Sequence, residues 1–250
     1  MASLPAYSGA TVEPLPELDL LLISQPGMGP GLNFAACVRW PAAGVAERLR
    51  RLHEHMHASG EWPALVVADG LSEPGDLGLW LETNGWLDLE RERVMWTRHP
   101  PVVPHLDPTL RVEAVTRRSA PEFEIVERAV FGIAEDRAAQ RSERITAGVE
   151  AGELRAYLVR LRGEPVATAR LAAGRGVAGI FGVALAAGHR RRGYGSLVTA
   201  IATRAGLAAG NGLVWLSVEE GNTPALNLYR GLGYQPSFAW TRWIGSAAMR

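Results

Sequence analysis

Four prolines (Pro100, Pro101, Pro104 and Pro108) stand within nine residues of the middle of the chain. Each fixes its own φ, deletes an amide donor and biases the residue before it toward extended backbone. Neither a helix nor a central strand can run through such a segment. The 250 residues therefore divide into an N-terminal part, 1–98, a linker, 99–108, and a C-terminal part, 109–250. Each part is long enough to bury a core of its own. With 47% hydrophobic and 21% charged residues the composition is globular, not disordered.

The C-terminal part alternates short elements. Residues 110–116 alternate apolar and polar as a strand does. Ser119-Ala120-Pro121-Glu122 has the form of a capping box, and the apolar face Phe123, Val126, Val130 follows it. A polar helix is expected over 136–147. Strands are expected over 154–161, 165–172 and 177–185, separated by Arg162-Gly163-Glu164 and Gly174-Arg175-Gly176 turns. Next comes a helix with Leu197, Ile201, Ala205 and Ala208 at helical spacing. A buried-type strand over 213–218, a short helix over 224–232 closed by Gly233 and a strand over 238–243 complete the part. The order β-α-α-β-β-β-α-β-α-β predicts an α/β fold with a mixed sheet.

The N-terminal part repeats the second half of that order. Val45, Leu49, Leu52 and Met56 form a helix stripe, 64–68 an apolar strand and 74–84 a short helix ending at Gly85, and Val94 to Trp96 sit in a final strand. Gly85-Trp86 corresponds to Gly233-Tyr234. These parallels read as an internal duplication, the N-terminal part being a smaller α/β domain.

Gly182 to Leu197 runs from strand through a glycine- and arginine-rich loop into a helix. Gly193 and Gly195 let the backbone turn sharply and approach a ligand, at what the pattern makes the surface end of a helix. Unpaired amides and the positive end of the helix dipole favour phosphate there. No third glycine follows in Rossmann phase, and no Gly-Lys-Ser/Thr makes a P-loop. All 26 basic residues are arginine, which also excludes a Schiff-base lysine.

Arg190-x-x-Gly193-x-Gly195 after an apolar strand resembles motif A of the GCN5-related N-acetyltransferases (GNAT), whose loop holds the pyrophosphate of acetyl-CoA. Asn222-Thr-Pro-Ala225-Leu-Asn-Leu228-Tyr229-Arg-Gly-Leu-Gly233-Tyr234 resembles that family's motif B. The resemblance covers about Leu110 to Trp243 and implies a GNAT fold there, with a degenerate GNAT-like copy in the N-terminal part. It implies that the amides of Arg191, Arg192, Gly193, Tyr194, Gly195 and Ser196, beside Arg190, cradle the pyrophosphate. Val183 and Leu185 are implied to bond the pantetheine arm through their strand edge, with the Leu185 amide polarising the thioester carbonyl. Asn222 is implied to contact the cofactor arm, and Tyr229 to protonate the departing thiolate. Leu185 and Ala187 stand where relatives have valine and proline, which softens the bend before the loop. The N-terminal helix start, Trp40 to Val45, carries no R-x-x-G-x-G, so no cofactor is expected there.

Many relatives carry a glutamate on the fourth strand, yet 176–185 holds no acid. Glu219 or Glu220, at the end of the next strand, or a water chain are the remaining routes for the amine's proton. Glu135 and Asp136 are better placed to touch an amine substrate. The implied reaction is direct attack of a primary amine on acetyl-CoA; the alternative is a module that binds acyl-CoA and has lost transfer.

Other features point to no second chemistry. His53, His55 and His57 lack the acid of HExxH, so a solvated helix face is the better reading and no metal is expected. One cysteine, Cys37, forms no internal disulfide. Zero net charge and one arginine cluster speak against nucleic acid. The N-terminus shows no signal-peptide pattern and the apolar run 18–23 is too short to span a bilayer, so a cytoplasmic protein without membrane contact is expected. Of the eight tryptophans, Trp80, Trp86, Trp240 and Trp243 are expected to pack core or domain contacts, with one or two left for an acceptor pocket or a homodimer face.

Overall fold

Apolar periodicity and turn chemistry place most elements where the sequence predicts them. The structure is a computed structural model that describes residues 11–25, 30–104 and 107–245, so His105 and Leu106 of the linker lie outside the described residues. In chain order the elements begin with β1 (Thr11–Leu15), β2 (Leu20–Ser24), β3 (Phe34–Ala36), α1 (Val45–Ala58), β4 (Ala64–Ala68), α2 (Leu77–Thr83) and β5 (Leu87–Thr97). They continue with β6 (Leu110–Ala114), α3 (Ala120–Phe131), α4 (Ala138–Glu150), β7 (Leu154–Leu161), β8 (Glu164–Gly174) and β9 (Val177–Leu185). The last are α5 (Tyr194–Ala208), β10 (Leu213–Glu219), α6 (Thr223–Gly231) and β11 (Gln235–Ile244).

Two compact units result, neither continuous in sequence. Among the described residues one holds Met95–Ser217 and Thr223–Gln235; the other holds 11–94, Val218–Asn222 and 236–245. In the first unit β6, β7, β8 and β9 pair antiparallel in turn, and β10 joins β9 in parallel. Helices α3 and α4 close one core, where Phe123, Ile145 and Ala120 meet Leu154, Ala156, Leu158 and Ala172. A fully buried Phe or Leu contributes roughly 1.5–3 kcal/mol of that stability.

Helix α5 buries a face rotated from the predicted stripe. Leu197 is buried, but Ile201 and Ala205 are half-buried and Ala208 is exposed. The buried row is instead Val198, Ala202 and Gly206, flanked by Thr199 and Thr203. Small residues bring this helix close to the sheet: a Cβ on Gly206 would lie 2.9 Å from Val214 Cγ2 and 3.3 Å from Ala178 Cβ. Glycine and threonine do not register as apolar, which is why the stripe reads off-centre.

In the second unit β1, β2 and β3 pair antiparallel, and β3 meets β4 in parallel through Ala35 and Leu65. The α1 stripe Val45, Leu49, Leu52 and Met56 is buried as predicted. Three antiparallel strands, a crossover helix, a parallel strand, a helix and a strand thus recur as β1–β5 and β7–β11, the topology expected of a duplication. The strands before α1 are a finding beyond the sequence reading, because Pro14, Pro16 and Asn33 interrupt them and β3 has only three residues. Strand β11, which the sequence order counts with residues 109–250, pairs antiparallel with β4, Trp240 opposite Ala68 and Ile244 opposite Ala64. Local pattern identifies a strand but not its distant partner. Trp86 and Trp40 are buried, and Trp80, Trp240 and Trp243 half-buried. Among the described residues no helix is long and apolar enough to cross a membrane.

Candidate active site

The site in the first unit is built on a strand edge. Pairing between β9 and β10 runs over Val177–Leu213, Ala178–Val214 and Gly179–Trp215, and ends there. Just beyond, the Phe181 and Trp215 rings meet edge to face, 5.4 Å apart at 86°. Strand β9 continues to Leu185. The Ala186 amide donates to Val166 O on β8 (2.9 Å). Successive amides of a strand face opposite sides, so the Leu185 N–H is directed to the edge that β10 has left.

Val183 is turned to the same edge by a bulge. Thr168 is opposite Ala184 but Arg170 is opposite Phe181, so β9 holds one residue more than β8 across this stretch. Gly182 adopts the left-handed conformation with φ 59°, and its carbonyl accepts from the buried Thr168 hydroxyl at 3.4 Å. In a planar trans peptide the carbonyl and the following N–H point in opposite directions. The Val183 N–H is thereby turned away from β8.

The loop after β9 ends at a helix N-terminus. Arg191 (φ 60°) and the N-cap Gly193 (φ 81°) are both left-handed. The first intrahelical bond runs from Leu197 N–H to Gly193 O at 2.9 Å, which leaves the amides of Tyr194, Gly195 and Ser196 without an intrahelical acceptor. Arg190, Arg191 and Arg192 are exposed, and among the described residues none pairs with a carboxylate. Free donors and the positive end of the helix dipole lie at this helix start, with three exposed cations in the loop before it, a setting that can hold a multiply charged anion. Tyr194 is buried and packs on His189, ring centroids 6.1 Å apart.

Gly195 is buried rather than at the surface. A Cβ there would stand 3.0 Å from Leu228 Cδ1 and 3.4 Å from Leu185 Cδ1. The loop, the end of β9 and α6 therefore meet at this glycine. On α6, next to Leu228, Tyr229 is buried with its ring centroid 6.0 Å from that of Tyr234. Tyr234 is committed to the core: its hydroxyl bonds Thr203 Oγ1 at 2.6 Å. Burial pushes the Tyr234 phenol well above its ordinary value, against the pull of the Thr203 bond.

Glu219, Glu220 and Asn222 belong to the second unit. Glu219 is exposed and its carbonyl accepts from the Asn222 amide at 2.9 Å. Glu220 is held by Arg91 (2.7 Å) and by Arg93. Burial acts to raise its carboxyl, but the Arg91 and Arg93 guanidiniums outweigh it and hold it below the ordinary carboxylate value. A carboxylate so held is a weaker proton acceptor, which leaves Glu219 as the better candidate of the two. Glu135 is exposed with Arg128 Nη1 at 3.2 Å, and Asp136 is exposed. In the second unit Gly44 (φ 85°) caps α1 as Gly193 caps α5. Its turn carries no arginine triplet, and Arg48 Nη1 folds back to Ala43 O at 3.3 Å. Among the described residues no three His, Cys, Asp or Glu side chains gather as a metal site.

The sequence reading missed a buried charged group beside the bulge. Glu127 on α3 is fully buried, and its Oε2 accepts from Arg141 Nη2 and Arg170 Nη2, each at 2.9 Å. Acids on helices normally face solvent. The available signal was the placing of Glu124 and Glu127 directly after Phe123 and Val126 of the apolar face.

Residues 118–234 match the model of the Acetyltransferase (GNAT) family. The fold is that of a GCN5-related N-acetyltransferase from Kribbella flavida, with a TM-score of 0.72 at 23% identity over 95% of this chain and 90% of that one. A tandem GNAT protein from the clavulanic acid biosynthesis pathway gives a TM-score of 0.67 at 15% identity, over 90% and 78%. A GCN5-related N-acetyltransferase from Sphaerobacter thermophilus gives 0.65 at 17%, over 90% and 80%. No curated protein matches the chain.

Proposed function

From the match of residues 118–234 to the model of the GNAT acetyltransferase family, we propose that the chain transfers the acetyl group of acetyl-CoA to a primary amine by direct attack in a ternary complex. The observation that carries this reading is the junction at Gly195. There the glycine-capped start of α5, the end of β9 and the helix of Tyr229 meet within one unit.

The amides from Arg191 to Ser196 and the guanidinium of Arg190 would hold the pyrophosphate. The Val183 and Leu185 amides would bind the arm along β9, Leu185 donating to the thioester oxygen as negative charge builds there. The neutral amine attacks the carbonyl carbon, a C–N bond forms and the C–S bond breaks. Tyr229 gives its proton to the departing thiolate. Glu219 is proposed to receive the amine's proton and Asn222 to contact the cofactor arm, as the family resemblance implies. In this proposal the domain of residues 109–250 is catalytic and 1–98 is a degenerate, cofactor-free copy. The protein acts in the cytoplasm without metal, nucleic acid or membrane, alone or as a homodimer.

Thiol release from acetyl-CoA across a panel of small amines, peptides and aminoglycosides tests the reading. Release that depends on an added amine is expected. Acetyl-CoA binding without release for any amine would favour the acyl-CoA-binding module instead.

A further inference from the structure

The buried charges of the first unit converge on one residue of β9. A Cβ at Gly182 would lie 2.5 Å from Glu127 Oε1, 3.0 Å from Arg170 Nη2 and 3.1 Å from Arg170 Nε. The bulge residue is therefore in direct contact with an ion pair. Arg141 adds the second bond to Glu127, and its Nε stands 3.6 Å from Oε1 of the buried Glu124. Among the described residues Glu127 Oε1 has no hydrogen-bond partner.

Stability is a poor explanation for this group. Buried ion pairs lose much of their attraction to desolvation, and apolar replacements are often neutral or better. Burial raises the Glu127 carboxyl against the pull of Arg170 and Arg141, so the charge is held there at a cost. What the pair does do is shape one peptide. Any side chain at 182 would collide with it, and Gly182 sits at φ 59° with its carbonyl on Thr168. The charged pair presses on the α-carbon while Thr168 holds the carbonyl. Together they fix the direction of the Val183 N–H.

We propose that Glu127, with Arg170, is a positioning residue for acetyl transfer: it acts through Gly182 to aim the Val183 amide at the pantetheine arm. This rests on the acyl-CoA reading of the β9 edge. Helix α3 thereby contributes to the strand edge without touching cofactor. Two parts of one ligand are thus held by different elements. The phosphate loop lies at Arg190 to Ser196, away from the bulge, whereas the arm needs the edge that the bulge orients.

Calorimetry on the full chain with acetyl-CoA and with adenosine 3′,5′-bisphosphate, a fragment carrying phosphates and no arm, tests this. Glu127→Gln removes the charge and keeps the shape. Its acetyl-CoA affinity should fall about tenfold, as loss of one well-aimed hydrogen bond would give, while the fragment binds as before. Glu127→Asp should recover part of the loss. Thr168→Val acts on the same peptide from the other side and should show the same split, so the test stands if Glu127→Gln fails to fold. Equal losses for both ligands in the folded variants, or none for either, would overturn the positioning role alone. Failure of the unaltered protein to bind acetyl-CoA would overturn the acyl-CoA reading and this inference with it.

Discussion

Tyr229→Phe should retain acetyl-CoA affinity and thermal stability while turnover falls by ~10²–10⁴-fold, the range typical of a lost general acid. The substitution keeps the ring and its contact with Tyr234, 6.0 Å between centroids, and removes one oxygen. A thiolate departing into a buried setting gains more from a proton than one departing into water, because burial disfavours the charged form. Tyr234→Phe supplies the contrast. That hydroxyl is spent on Thr203 at 2.6 Å, so its loss should cost roughly 1–3 kcal/mol of stability through an unsatisfied buried partner and leave turnover per folded molecule unchanged. Thiol-release kinetics beside denaturant unfolding separate the two tyrosines. Unchanged turnover in Tyr229→Phe would remove it from the mechanism.

Gly195→Val should be the most damaging change in the loop. Its first added atom would sit 3.0 Å from Leu228 Cδ1 and 3.4 Å from Leu185 Cδ1. The valine must push α6, which carries Tyr229, away from the end of β9, which carries the Leu185 amide proposed to face the thioester. Overpacking of this kind costs roughly 1–3 kcal/mol, and it also displaces an amide of the anion site. Acetyl-CoA affinity should drop about a hundredfold, with a lower unfolding midpoint. Calorimetry and urea unfolding on the same preparation check both, and unchanged affinity would move the cofactor elsewhere.

Where the chain writes one face in large apolar residues, its structure is legible in advance. Val45, Leu49, Leu52 and Met56 fix α1, and the apolar runs of β4 and β9 have the predicted limits, Ala64–Ala68 and Val177–Leu185. The loop at Gly193 is legible for a different reason: a left-handed N-cap demands glycine, and the demand shows in one letter. Contacts made by small or charged residues leave no such mark. Gly206, Thr199 and Thr203 form the close face of α5 without reading as apolar, and Glu127 reads as a solvated helix acid while it is buried against Gly182. Pairing between distant strands, as of β11 with β4, is set by the whole chain and by no local pattern.

We propose a single cofactor site, at the arginine-bearing loop of the first unit and not at the similar helix start of the second. Gly44 at φ 85° and Gly193 at φ 81° give both helices the same left-handed cap, but only the latter has Arg190 to Arg192 and the strand edge of Val183 and Leu185 beside it. Isothermal titration of the full chain with acetyl-CoA tests this most directly. One acetyl-CoA bound per chain is expected; a stoichiometry of two, or no binding, would contradict a single site at Arg190 to Ser196.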